Sequence, residues 1–279
     1  MEVAVLGAGG NMGRRISGAL KDQAGYNLRL IERSDHGREL LAELGLGTVE
    51  QAKGFAGADV VIFAVPDKIV RDVAREVVPL LDRGTSILFL DPAAVAAGRI
   101  PMREDISCFV THPTHPPLYG LLREEDAAAR RDFWGGGLAH QSIVFAIAWG
   151  DESLADGVET LVTHMFAPIT TSHRITVGQM AMLEPALTET LANGCVAIIR
   201  EGMERVIAAG VPEAATRDFL MGHLQIGISI IFGELDWKLS EGAAMALEQS
   251  KSQLFRDDWY SIFDEANLLA SLKQITGGE

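Results

Sequence analysis

Backbone amides unobstructed by side chains can close around a phosphate, and the segment GAGGNMG, from Gly7 to Gly13, supplies them. The apolar run Val3 to Leu6 precedes it and a helical pattern follows, which is the context in which such glycines cradle a pyrophosphate. Asn11 and Met12 open that helix, whose first amides and positive dipole end favour anions. Because position 12 is Met, the spacing departs from G-x-G-x-x-G. Two registers stay open: Gly7, Gly10 and Gly13, or Gly7, Gly9 and Gly13 with one extra residue. In either, one glycine allows the tight turn, one lets the backbone approach the pyrophosphate, and Gly13 lets helix pack on strand. Glu32 ends the next apolar run, where a carboxylate would accept hydrogen bonds from an adenosine ribose and repel a 2′-phosphate. The expected cofactor is therefore NAD. Arg33 and Ser34 keep NADP open, since they could hold a phosphate if Glu32 turned away.

A second group of reactive side chains lies in THPTHPPLYG, residues 111–120. Here His112 and His115 stand just beyond an expected strand end, in a loop whose prolines keep the backbone extended. Imidazole is both a metal ligand and a proton acceptor near neutral pH. The spacing is not a metal motif such as H-E-x-x-H, so a loop-bonding role stays open beside a site role. Glu184, before Pro185, is expected to cap a helix, and His223 to sit as a satisfied buried histidine in an apolar helix, with a role in the site open for each. His36, His140, His164 and His173 read as surface or packing residues. Cys108 and Cys195 each fall within apolar runs and read as inert core thiols, a usage that suits a reducing compartment.

The elements that position these groups follow from the pattern of apolar runs. Up to about residue 172, short β-rich runs alternate with helical patterns, the mark of a parallel sheet covered on both faces. The expected strands are Val3 to Leu6, Leu28 to Glu32, Val60 to Val65, Ile87 to Leu90, Cys108 to Thr111 and Ile143 to Trp149. Pro66, Pro92 and Pro113 punctuate strand ends, where ligand-facing loops belong. After Thr176 only helical patterns remain; the first spans roughly Gln179 to Ala209, contains Pro185, and stops at Gly210 with Pro212 beyond. The expected fold is α/β, an N-terminal Rossmann doubly wound sheet in residues 1–172 and an all-helical C-terminal domain in residues 173–279. The cleft between the two is where a substrate is expected.

Bulk properties narrow the partners. The chain has 279 residues, 48% of them hydrophobic, ample for a packed core. A formal charge of −14 would repel phosphate backbones and anionic lipids, which disfavours nucleic acid and membranes and favours a small molecule. The apolar stretch from Phe219 to Gly233 contains His223 and Gln225 and falls short of the roughly 20 residues needed to span a bilayer, so a buried helix is expected. The start MEVAVLGAGG enters a strand directly, without a secretory pattern, and a cytoplasmic protein is expected. The apolar helices after Phe219 exceed what a domain of about 100 residues covers alone, which points to a homodimer.

With GAGGNMG and then ADVVIFAVPD closing a strand, the chain resembles the superfamily of 6-phosphogluconate, β-hydroxyacid and prephenate dehydrogenases and ketol-acid reductoisomerases. The resemblance covers the whole length and implies a Rossmann domain followed by a helical domain that often forms the dimer contact. It places Ala64, Val65 and Pro66 on a loop lying along the cofactor toward the nicotinamide. Within the superfamily, THPTHPPLYG, LEPALTETLANG and GHLQIGISIIFGE look most like the D-apionate oxidoisomerase family, whose members oxidise a branched sugar acid with NAD and shift a carbon substituent in the same site.

The resemblance also points to catalytic residues. In β-hydroxyacid dehydrogenases the helix opening the second domain carries a Lys-x-x-x-Asn pair on one face, and the corresponding pair here is Glu189 and Asn193. Glutamate for lysine removes a cation that would polarise an alkoxide, and points instead to a metal ion or a carboxylate base. The expected catalytic set is thus His112, Glu189 and Asn193, with His112 and Glu189 holding a divalent ion, Zn or Mg, over a sugar acid. The expected product is 3-oxo-isoapionate. A plain NAD-dependent dehydrogenase of another small hydroxy acid and a non-catalytic NAD sensor stay open beside it.

Overall fold

The computed structural model describes residues 1–119 and 127–277, and the chain divides into two compact units: Met1–Met182 with Leu269–Glu279, and Leu183–Leu268. The first unit is built on a seven-stranded sheet in the order β2-β1-β3-β4-β5-β6-β7. Its strands are β1 (Glu2–Leu6), β2 (Asn27–Ile31), β3 (Val60–Phe63), β4 (Ser86–Phe89), β5 (Ser107–Pro113), β6 (Gln141–Trp149) and β7 (Ile169–Arg174). Helices α1 (Asn11–Leu20), α2 (Asp35–Glu43), α3 (Gln51–Phe55), α4 (Asp67–Val77), α5 (Ala93–Ala96), α6 (Ala155–Met165) and α7 (Val177–Ala181) accompany them.

Alternate residues of each central strand enter opposite cores. Ala4, Leu6, Val61, Phe63, Ile87, Phe89 and Cys108 join one apolar cluster; Val3, Val5, Val60, Ile62, Leu88 and Phe109 join the other. Coverage on both faces is why these strands read as unbroken apolar runs. Burial also pushes the Cys108 thiol well above its ordinary range, which keeps it inert.

Three features of this unit differ from the sequence reading. The sheet is mixed, because β5 and β6 pair antiparallel (Pro113↔Ile143, Val110↔Ala146). Among the described residues their connection carries only a 3₁₀ turn, Ala129–Arg131, and not the crossover helix that parallel neighbours need. With β6 running beside it, β5 continues through His112 to Pro113, so His112 is a strand residue and not a loop residue. Finally, β7 adds an edge strand past residue 168, and the unit runs to Met182 rather than ending at 172. Its sequence, ITTSHR, is polar because it lines an edge, and no apolar alternation marks it.

The second unit is helical: a π-helical segment, Met182–Ala192, leads into α8 (Asn193–Ala208), followed by α9 (Glu213–Ile231) and α10 (Glu241–Leu254). Gly210, at φ +100°, ends α8 where the sequence places the stop. Then α11 (Glu265–Ile275) carries the chain back to the first unit, where Leu272 and Thr276 are buried.

The expectation of a buried apolar helix after Phe219 is corrected. In α9 only Thr216 is buried, and Phe219 and Phe232 beside it are 69% and 76% exposed. His223 is exposed too; it stacks on Phe219 and its Nδ1 donates to the Phe219 carbonyl at 2.8 Å, a purely local satisfaction. Cys195 lies half-buried on α8, outside any core. No described helix is long and apolar enough to cross a membrane.

Candidate active site

The glycine turn resolves the register that the sequence leaves open. At Gly7, φ is +81° and an added Cβ would lie 2.5 Å from the Ala64 carbonyl oxygen. A Cβ on Gly9 would lie 2.5 Å from the Gly37 Cα, and one on Gly13 would lie 2.3 Å from the Gly7 carbonyl oxygen. Gly10, the N-cap of α1, has its nearest neighbour at 3.4 Å and tolerates a Cβ. The three obligatory glycines are therefore Gly7, Gly9 and Gly13, with one additional residue before Gly13.

Glu32 is bound into this turn. Its Oε2 accepts the Gly9 N–H at 2.8 Å, and its Oε1 accepts the Ser34 N–H at 2.9 Å and the Ser34 hydroxyl at 2.8 Å. Burial works to raise the carboxyl pKa, but these bonds prevail and hold it below the ordinary range, so Glu32 is ionised at neutral pH. The groups that could have taken a 2′-phosphate are engaged elsewhere. Arg33 pairs with Glu76 and Gln51, and the Ser34 hydroxyl accepts the Gly37 N–H.

A cavity of about 380 Å³ opens on these residues, lined by Gly7, Gly9, Gly10, Glu32 and, from the end of β3, Ala64, Val65 and Pro66. The volume and the apolar lining beside one fixed carboxylate suit a nucleoside. Of the residues expected to touch a cofactor, Asn11, Met12 and Gly13 are not in this lining. Asn11 accepts from Arg14 on the first turn of α1, Met12 packs on the core, and Gly13 is buried by the strand–helix contact.

At the same C-terminal edge of the sheet, β4 and β5 bring an acid to His112. Their parallel register pairs Phe89 with Val110, and two residues further on the same offset sets Asp91 beside His112. A ligand atom of each lies within 4.8 Å of the other. Asp91 Oδ1 accepts the Ala93 N–H at 2.7 Å. His112 Nδ1 bonds the Pro113 carbonyl at 2.8 Å, and since a carbonyl only accepts, Nδ1 carries a proton and donates it there. Asp67 opens α4, and its pKa is raised by burial and then by the Asp91 charge, against its own backbone and His112.

His115 lies just past β5 and is the one non-glycine residue at positive φ, +58°, among the described residues. Its Nδ1 donates to the Trp134 carbonyl at 2.9 Å, which Arg15 Nη1 also reaches at 3.2 Å. Burial lowers the His115 pKa against that bond, with His112 and Arg15 adding to the effect, so the ring is neutral above mildly acidic pH. Asp132 ties the Trp134 loop together by accepting the N–H groups of Gly135, Gly137, Leu138 and Ala139. Gly120, the last residue of the histidine motif, lies outside the described residues.

Comparison with known proteins places this geometry. Residues 1–124 match the family model of the acetohydroxy acid isomeroreductase NADPH-binding domain, and residues 123–276 match that of the phosphogluconate dehydrogenase (decarboxylating) C-terminal domain. D-apionate oxidoisomerase from Cupriavidus necator is 41% identical over 276 residues, 99% of each chain. The chain belongs to the D-apionate oxidoisomerase family. Another member, from Rhizobium rhizogenes, is 41% identical over 98% of this chain and 99% of its own. A crystal structure of a semialdehyde dehydrogenase NAD-binding protein from Cupriavidus necator, in complex with calcium and NAD, superposes with a TM-score of 0.95 at 41% identity over 99% of both chains. An NADH-preferring ketol-acid reductoisomerase from an uncultured archaeon shares the fold alone, with a TM-score of 0.68 at 19% identity over 99% of this chain and 82% of its own.

Within this member of the D-apionate oxidoisomerase family, the helical residues expected to serve the site sit where an α-helical reading does not put them. Glu184 is not a cap, because Thr176 already caps the helical run in a capping box with Gln179. Glu184 instead lies half-buried inside the π-helical segment, and Glu189 is exposed further along it. Pro185 lacks the N–H of a regular turn, and the Thr188 and Thr190 hydroxyls donate to carbonyls five residues back, at Leu183 and Pro185. The expected common face of Glu189 and Asn193 therefore begins in π geometry and ends at the first residue of α8. Sequence reasoning missed Asp91 and Asp67, although each adjoins a proline at a strand end that it had marked as ligand-facing.

Proposed function

We propose that this chain is an NAD-dependent oxidoisomerase of a branched sugar acid such as D-apionate, yielding 3-oxo-isoapionate. The observation that carries this reading is identity of 41% with D-apionate oxidoisomerases over the whole chain. The cofactor is NAD, because Glu32 is held ionised where a 2′-phosphate would lie and Arg33 is turned to Glu76. The resemblance to an NAD- and calcium-bound structure supports a divalent ion as well.

The chemistry balances in two stages. Hydride leaves the carbinol carbon beside the carboxylate for NAD, and the hydroxyl proton goes to a base, giving a 2-oxo acid beside a tertiary alcohol. The alcohol then loses its proton and becomes the ketone, while a hydroxymethyl group migrates with its bonding pair to the neighbouring carbon, whose oxygen takes up a proton. A divalent ion, when bound, stabilises negative charge on these oxygens. His112, Glu189 and Asn193 are the chain's contribution in this reading, with His112 and Glu189 as ligands and Asn193 orienting a substrate hydroxyl. His115, its Nδ1 proton held by Trp134, presents Nε2 as an acceptor on the same edge.

The protein acts as a cytoplasmic homodimer in this reading, its exposed helical apolar residues covered by a second copy. Incubation with NAD and D-apionate, followed by carbon NMR of the product, tests the activity. NADH with a rearranged skeleton is expected. NADH with an unrearranged 2-oxo acid would make it a plain dehydrogenase, and tight NAD binding without NADH from any sugar acid would make it a sensor.

A further inference from the structure

The reading above needs a cation site, and the first unit contains an arrangement suited to one whose acid the sequence did not suggest. Three independent features converge at the C-terminal ends of β4 and β5. The strand register sets Asp91 against His112, with ligand atoms within 4.8 Å. The His112 ring is pre-oriented, since its Nδ1 proton is held by the Pro113 carbonyl, which leaves Nε2 as the nitrogen that could ligate. This is the outer contact that metal-binding histidines make, fixing tautomer and ring angle before the ion arrives. Asp91 is pre-oriented as well, through the bond from the Ala93 N–H to Oδ1.

We infer that Asp91 and His112 together bind a hard divalent cation of the calcium, magnesium and manganese class, deepening the proposed function by naming its ligands in the first unit. With one imidazole and one carboxylate from the first unit and the remaining positions filled by water and by the ligand's oxygens, the shell is mostly oxygen, and such sets favour these ions over zinc. These two ligands from the first unit, with Glu189 of the reading above, leave the rest of a six- to eight-coordinate shell for water and for a ligand carrying adjacent hydroxyl and carboxylate oxygens. A 2-hydroxy acid is such a ligand. Asp91 is thus a metal ligand beside His112.

Calorimetry with calcium and electron paramagnetic resonance with manganese, on the full chain with saturating NAD, test the inference. Wild-type protein is expected to bind one ion per chain. Asp91→Asn, which keeps the acceptor for the Ala93 N–H, and His112→Gln are each expected to weaken it at least about tenfold while NAD affinity holds. Manganese binding by Asp91→Asn equal to wild type would overturn the inference. So would unchanged binding by His112→Gln, the control should Asp91→Asn fold poorly. Failure here and failure of the functional reading are separable. A wild-type protein that rearranges D-apionate without binding either ion sinks the site but not the function. An ion bound through Asp91 and His112 alongside an unrearranged product does the reverse.

Discussion

The two units of this chain bury themselves differently. In the first, every central strand feeds two cores, and Val3, Val5, Ile62, Ile87 and Phe109 are wholly inaccessible. In the second, α8 and α10 bury no residue and α9 buries only Thr216, while Phe219, Phe232, Trp237 and Leu254 stand open. Apolar content alone does not distinguish the two units. The sheet lets one chain cover its own apolar faces, whereas the helices of the second unit leave theirs exposed.

The sharpest way to break this contrast is to remove the apolar surface. Phe219→Glu with Phe232→Glu is expected to weaken self-association about 1,000-fold, two anchors at about 2 kcal/mol each, leaving NAD binding intact. Sedimentation reads this, and wild-type protein that is monomeric at micromolar concentration would end the contrast. Next in size, His112→Ala and Glu189→Gln, one from each unit, should each lower turnover about 100-fold or more. If only His112→Ala does so, the chemistry belongs to the first unit.

Within the first unit, Gly13→Ala should cost about 1–3 kcal/mol of stability, because its Cβ meets the Gly7 carbonyl and the Ala8 backbone. Gly10→Ala should be milder, and equal losses in thermal melts would restore the other register. Glu32→Gln should weaken NAD about tenfold and narrow the preference over NADP. Since the folded pKa of Glu32 is depressed, its contribution is present above the ordinary carboxylate pKa and lost as pH falls through the folded value. The variant should therefore flatten the acid limb of a stability profile. Smallest is the response to a thiol reagent: Cys108 should stay unlabelled in the native protein and Cys195 should react, a difference that mass spectrometry reads directly.

Much of this was visible in the residues themselves. Strand positions up to β6 could be read because burial on both faces leaves an unbroken apolar run, and the stop at Gly210 because only glycine sits easily at positive φ. The polar edge strand β7 left no such trace. Asp91 escaped notice because Asp-Pro after a strand is also an ordinary turn.

Local sequence determined what depends on near neighbours: the glycine turn, the carboxylate at position 32 and the order of strands and helices. The tertiary structure decided what depends on which distant atoms meet. It selected Gly9 over Gly10, because Gly37 and Glu32 come from the next strand and helix and leave no room for a Cβ. It turned β6 antiparallel and so drew His112 into the sheet. It set Asp91 beside His112 through the register of two neighbouring strands, a juxtaposition that no spacing along the chain encodes.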